Sequence, residues 1–108
     1  MSSNFLFICS RNQWRSRTAE DIFKNISGLN VRSAGTSSSA RIKISEKLVI
    51  WADLIFVMEK HHKQWLNQKY SSLLNDKQII ILEIPDDYQY MDAELIDMLE
   101  IGIKPYLG

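Results

Sequence analysis

The chain has 108 residues, 45% hydrophobic and 24% charged, and its 13 basic and 13 acidic side chains leave no net charge. That is enough for a single domain, residues 1–108, with one modest core. Zero net charge means no global electrostatic pull toward nucleic acid or anionic membrane, and no run approaches the ~20 apolar residues of a membrane helix. The only cysteine, Cys9, excludes an intrachain disulfide framework and fits a reducing compartment. Met1–Cys9 lacks a charged n-region and a small-residue cleavage site, so the expected location is cytoplasmic.

Asn4–Ile8 is short, continuous and apolar, the pattern of a buried strand. After Cys9-Ser10-Arg11-Asn12-Gln13-Trp14-Arg15-Ser16, the residues Ala19, Ile22, Phe23 and Ile26 share one helical face. They predict a helix from about Ser16 to Ser27, stopped by Gly28 and Asn30. Val31–Ser33 reads as a second strand and Ala34–Ser39 as turn chemistry. Ser45 is placed to cap a short helix through Trp51, and Asp53–Met58 is a third buried strand. Lys60–Leu74 is amphipathic, with Leu66, Tyr70, Leu73 and Leu74 on one face, and Gln78–Glu83 is the last strand. Pro85–Tyr90 is a loop; Asp92 then caps a final helix with Leu95, Leu99 and Ile103 inward.

Strands alternate with helices and are apolar throughout. The expectation is an α/β fold, a three-layer α/β/α sandwich around a four-stranded parallel sheet. Ligands of such sheets bind beyond the carboxyl ends of the strands. Cys9 lies at one such end and the Pro85–Tyr90 loop follows another, so the two are expected to be neighbours.

A cysteine, five residues, then Arg15-Ser16 at a strand-to-helix turn is an arrangement suited to holding a phosphate against a thiolate. Loop N–H groups converge on the anion and the helix N-terminus adds its positive end. The same field favours the thiolate over the thiol, and Arg15 offers a planar fork to two phosphate oxygens. In many chains a cysteine closing a strand is only a small core residue. A phosphorus-attacking thiolate also needs an acid for the leaving oxygen. Asp86, in I-P-D-D-Y just past the last strand, is the candidate, although Pro-Asp commonly serves only to shape a turn.

Four segments, F-L-F-I-C-S-R-N-Q-W-R-S-R-T-A-E, V-R-S-A-G-T, A-D-L-I-F-V-M-E and I-P-D-D-Y, occur in an order that resembles the low-molecular-weight protein tyrosine phosphatases. The resemblance implies a phosphatase-like fold and a cysteine-dependent hydrolysis of phosphotyrosine or related aryl phosphates through a phosphocysteine. It implies Cys9 as nucleophile, Arg15 as phosphoryl clamp and Asp86 as general acid. Ser10, Arg11, Asn12, Gln13, Trp14, Arg15 and Ser16 would form the phosphate-binding loop. Ser16 would support the thiolate, Asn12 would hold a left-handed turn with Ser33 behind it, and Trp14 and Tyr88 would flank the substrate. Neither metal nor other cofactor is implied. The partners are a phosphorylated protein or aryl phosphate, with inorganic phosphate or a similar oxyanion as ligand, and neither nucleic acid nor membrane.

The chain departs from the family pattern at Trp14, where a second loop cysteine is usual, and at Arg17 and Asp87, where prolines are usual. It also lacks a long segment after V-R-S-A-G-T, so Ser37–Ile44 makes the connection and a more open cleft is expected. Trp14, Arg11 and Arg41 are available to line it. The alternative that follows is a phosphate- or phosphotyrosine-binding module with little or no turnover. His61 and His62 open a predicted helix, where adjacent side chains face different ways, and are not expected to bind metal.

Overall fold

Side-chain alternation along the first strand decides how the layers are built. In the computed structural model, which describes residues 3–107, Phe5, Phe7 and Cys9 point to one side of the sheet and Leu6 and Ile8 to the other. All five are essentially inaccessible to solvent, so this strand must be covered on both faces. The strand is β1 (Ser3–Cys9), and the chain continues through α1 (Arg15–Phe23), β2 (Leu29–Gly35), α2 (Glu46–Trp51) and β3 (Leu54–Val57). It ends with α3 (Lys60–Tyr70), β4 (Gln78–Ile81) and α4 (Ala93–Ile103). The four strands form one parallel sheet in the order β2-β1-β3-β4.

Two cores result, one on each face. Phe5, Phe7 and Phe56 meet Ala19 and Phe23 of α1 and Leu95, Leu99 and Ile103 of α4. Phe7 stacks between Phe23 and Phe56, with ring centroids 5.8 and 5.1 Å away. On the other face Leu6, Ile8, Ile55 and Val57 pack on Val49 of α2 and Leu66 of α3. Each such fully buried side chain contributes about 1.5–3 kcal/mol of transfer free energy, so the α/β/α layering is the arrangement that hides both sets. Among the described residues no helix is long and apolar enough to cross a membrane.

Boundaries differ from the sequence expectations in ways the packing explains. Helix α1 stops at Phe23 rather than near Ser27: Ile26 is exposed, and the chain turns through Gly28 at φ 80°. Strand β2 is longer than Val31–Ser33 because β1 pairs with it along its whole length, Ser3 with Leu29 through Cys9 with Gly35. Helix α3 gives way at Ser71 to a tighter 3₁₀ turn, and β4 stops at Ile81, two residues before Glu83 takes φ 57°. The caps are as expected: Ser45 Oγ accepts from Leu48 N–H, and Asp92 Oδ1 from Glu94 N–H.

Candidate active site

Beyond β1 the chain wraps into a loop most of whose carbonyls are taken up by the chain around it. Cys9 O accepts from Thr36 N–H, Ser10 O from Ser37 N–H and Arg11 O from Arg41 N–H, at 3.0, 2.8 and 3.0 Å. Asn12 O accepts from Arg41 Nε at 3.1 Å, and Trp14 O from Thr18 N–H at 2.9 Å. The N–H groups of Arg11, Gln13 and Trp14 are left without a protein acceptor among the described residues. Unpaired N–H groups in a loop that leads into a helix are the ingredients of an anion cradle. The short Ser37–Ile44 connection is therefore what holds the loop from behind. Gly35 allows that close approach, since a Cβ there would lie 2.4 Å from Ser10 O and 2.7 Å from Ala40 Cβ.

Asn12 makes the loop's sharp turn in the left-handed region, at φ 58°, a conformation asparagine tolerates better than most residues. Its side-chain amide Nδ2 donates to Ser16 Oγ at 2.7 Å. Because an amide NH₂ can only donate, the Ser16 hydroxyl keeps its own proton, with Cys9 Sγ at 3.0 Å and the Ala34 carbonyl at 3.5 Å as its acceptors. The backbone N–H of Asn12 donates to the same sulfur at 3.3 Å. Cys9 Sγ thus ends β1 within hydrogen-bond reach of both the Ser16 hydroxyl and the Asn12 N–H.

Ser33 does not stand behind Asn12 as expected. It pairs with Phe7, two residues short of the Cys9–Gly35 level, and its hydroxyl donates to the Glu20 carboxylate on α1. The Asn12 Oδ1 atom is buried without a hydrogen-bond partner among the described residues.

Arg15 is the largest fully buried side chain, 2% exposed, and two groups fix it. Its Nη1 donates to Glu59 Oε1 at 2.5 Å and to the Ile84 carbonyl at 2.7 Å. Burial alone raises the carboxyl pKa of Glu59, but the hydrogen bond and charge of Arg15 outweigh it and hold that carboxyl below its ordinary value. Asp86 Oδ1 approaches Arg15 Nε at 3.6 Å from the solvent side. Cys9, Ser10, Arg11, Gln13, Trp14, Arg15 and Asp86 line one pocket of about 190 Å³, small beside the usual ligand cleft.

The loop carrying Asp86 is pinned at both ends. Ile84 N–H donates to Met58 O at 2.8 Å, and Met91 N–H to Thr18 Oγ1 at 2.9 Å. The Tyr90 hydroxyl donates to Asp21 on α1 while Arg17 lies 4.7 Å over the Tyr90 ring. Glu83 and Met91 take positive φ, 57° and 63°, on either side of the loop.

Trp14 is 41% exposed at the pocket and Arg11 also lines it, whereas Arg41 braces the loop from outside. Tyr88 does not flank the pocket: it is half-buried against the Phe5–Phe56 core, drawn there by its apolar ring. Asp87 is exposed and not part of the lining.

Two residues not expected in the site reach it from the start of α3. Glu59 follows β3 at the ligand-bearing edge of the sheet and clamps Arg15; its place after the buried strand was the signal for it. His62 is completely buried and meets Ser10 Oγ at 3.0 Å through Nε2. The expectation that His61 and His62 diverge is also corrected, since their rings lie 4.0 Å apart and Glu59 joins them. Both nitrogens of His62 are hydrogen-bonded, Nδ1 to Glu59 N–H at 3.1 Å, while Glu59 gives Oε1 to Arg15 and holds Oε2 3.5 Å from His61 Nε2.

No protein-family model matches the chain, and no curated protein sequence does. Solved structures do. The tyrosine phosphatase Wzb from Escherichia coli K30, in complex with phosphate, superposes with a TM-score of 0.79 at 22% identity, covering 100% of both chains. The low-molecular-weight protein tyrosine phosphatase SP-PTP from Streptococcus pyogenes gives 0.76 at 18%, covering 97% of this chain and 91% of the other. The YwlE arginine phosphatase from Geobacillus stearothermophilus gives 0.72 at 16%, covering 96% and 93%. At these identities the likeness establishes a common fold, that of the low-molecular-weight tyrosine phosphatases.

Proposed function

We propose that this chain, a single domain with that fold, is a cysteine-dependent phosphatase acting on aryl phosphate esters such as phosphotyrosine. The observation that carries the reading is the pocket floor. There Cys9 Sγ lies within hydrogen-bond reach of the Ser16 hydroxyl and the Asn12 N–H, beside the unpaired N–H groups of the loop, the buried Arg15 and the exposed Asp86.

The chemistry follows from the geometry. A phosphoryl group enters the cradle against the N–H groups of the loop, and Arg15, whose Nη1 is held by Glu59 and Ile84, turns Nη2 to its oxygens. The Cys9 thiolate attacks phosphorus, an S–P bond forms, and the P–O ester bond breaks. Asp86 gives its proton to the departing oxygen. The resulting carboxylate then takes a proton from water as that water attacks phosphorus, the S–P bond breaks, and the Ser16 hydroxyl stabilises the released thiolate. Phosphoryl transfer is mainly positioning and charge stabilisation, which the loop and Arg15 supply. General acid catalysis by Asp86 adds about 10²–10⁴-fold.

The structural relatives are named as tyrosine phosphatases and as arginine phosphatases. An aryl ester is favoured here by Trp14, an exposed indole at the pocket against which a substrate ring can pack. A free cysteine nucleophile suits the reducing cytoplasm. Steady-state hydrolysis of an aryl phosphate by wild type, Cys9→Ser and Asp86→Ala tests the reading. It predicts no turnover for the first variant and a 10²-fold or greater loss in kcat for the second. Phosphate binding without Cys9-dependent turnover would overturn it in favour of a binding module.

A further inference from the structure

We infer that Ser10 gives the bound phosphoryl group a side-chain hydrogen bond, and that His62 is the positioning residue that turns the Ser10 hydroxyl proton into the pocket. The inference rests on the phosphate-site reading above and adds a donor to it.

Hydrogen-bond direction fixes the role of each group. The backbone N–H of Glu59 can only donate, and it points at His62 Nδ1 from 3.1 Å. That nitrogen must therefore present its lone pair, and a neutral imidazole then carries its proton on Nε2. Nε2–H faces Ser10 Oγ at 3.0 Å, so it donates and the serine oxygen accepts. The single proton of Ser10 is left over. Ser10 lines the pocket, and no other protein partner takes its hydroxyl among the described residues. An oxyanion in the cradle is the acceptor that remains.

The charges around His62 keep this direction fixed. His61 beside it on α3, Arg15 of α1 and the carboxylate of Glu59 are the ionisable groups against it. Burial first, then the positive charges of His61 and Arg15, push its pKa down to about 3, against the opposing pull of Glu59. His62 is therefore neutral across the range in which a phosphatase is assayed. It does not titrate during turnover, and it does not touch substrate.

Calorimetric titration with inorganic phosphate tests the inference, using wild type, Ser10→Ala, Ser10→Thr, His62→Asn and the Ser10→Ala/His62→Asn double variant. A hydrogen bond to a charged group predicts a loss in affinity of about tenfold or more for Ser10→Ala. Ser10→Thr, which keeps the hydroxyl, retains wild-type affinity. His62→Asn keeps an acceptor for Glu59 N–H but is too short to reach Ser10, and weakens phosphate to a similar extent. The double variant is no weaker than Ser10→Ala, because His62 acts through Ser10. In wild type the imidazole ¹⁵N shifts report the Nε2–H tautomer, a signature that mere packing of the ring would not fix.

If wild type binds phosphate and Ser10→Ala binds it equally well, or the two losses multiply in the double variant, the inference is overturned and the phosphate site stands. If wild type binds no phosphate, the site reading itself falls, and this inference with it.

Discussion

Glu59 and Arg15 lie 44 positions apart in the chain and meet at 2.5 Å beside the pocket, the carboxylate orienting a guanidinium that is almost wholly buried. The contact is made possible by topology: Arg15 opens α1 after β1, Glu59 precedes α3 after β3, and those two strands are neighbours in the sheet. A buried guanidinium with one nitrogen committed to Glu59 and Ile84 has little freedom left, so its remaining arm is presented to a ligand in one orientation.

Glu59→Gln should therefore act on turnover more than on the fold. The amide keeps the shape but removes the charge that holds Nη1, and the expected loss in kcat is about 10–100-fold, on the order of 1.4–2.8 kcal/mol. Steady-state kinetics with an aryl phosphate, alongside thermal melts, checks it. An unchanged kcat would mean that Ile84 alone suffices to orient Arg15.

His62 makes stability depend on pH in a definite direction. Its ordinary value is 6.5 and burial, reinforced by His61 and Arg15, lowers it to about 3 in the fold. Below pH 6.5 the unfolded chain takes a proton that the folded chain refuses, so stability is full above that value and falls as pH drops toward 3. The slope from this one group approaches about 1.4 kcal/mol per pH unit. Glu59, held below its ordinary value, adds a loss of the same sign once pH falls below about 4.5. Urea denaturation between pH 7 and pH 4 should show a shallower decline in His62→Gln than in wild type; parallel curves would contradict the assignment.

Gly35→Ala tests the brace behind the loop. Its new Cβ would meet the Ser10 carbonyl at 2.4 Å and the Arg11 carbonyl carbon at 3.0 Å, backbone atoms that cannot swing aside. The expected cost is about 1–3 kcal/mol, with a fall in Tm of roughly 4–8 °C for each kcal/mol. Activity should fall further than stability alone explains, because the displaced atoms belong to the cradle. Calorimetric Tm and kcat measured together decide it.

Trp14→Ala should separate recognition of the ring from recognition of the phosphate. Losing an aromatic contact of about 0.5–1.5 kcal/mol predicts a two- to tenfold rise in KM for an aryl phosphate. Inhibition by inorganic phosphate should be unchanged, since Trp14 contributes to that ligand only its backbone N–H. Equal losses for both would place the indole in support of the loop.

Much of this was legible in the chain itself. The apolar strands, the caps at Ser45 and Asp92 and the Cys9–Ser16 loop are local patterns, and the parallel sheet follows from their alternation. The meeting of Cys9 with Asp86 was accessible through the rule that ligands gather at strand carboxyl ends. The position of Glu59 after a buried strand was a signal of the same kind, but its pairing with Arg15, the place of His62 and the true partner of Ser33 depend on which side chain of a neighbouring element arrives within reach. Glu59 and His62 read as ordinary residues at a helix start until β3 is laid beside β1. Ser33 sits one strand repeat too low to touch Asn12, a displacement set by register rather than by residue type.

The central claim is a phosphoryl group carried on Cys9. Rapid mixing of the Asp86→Asn variant with excess aryl phosphate, followed by acid quench and peptide mass analysis, measures it directly. A good leaving group needs little help from the acid, whereas hydrolysis of the intermediate lacks its base, so the phosphoenzyme should accumulate. The expected result is a burst of aryl alcohol with one phosphoryl group on the peptide containing Cys9. Turnover with no phosphoryl group on that peptide, or turnover that survives Cys9→Ser, would contradict the account.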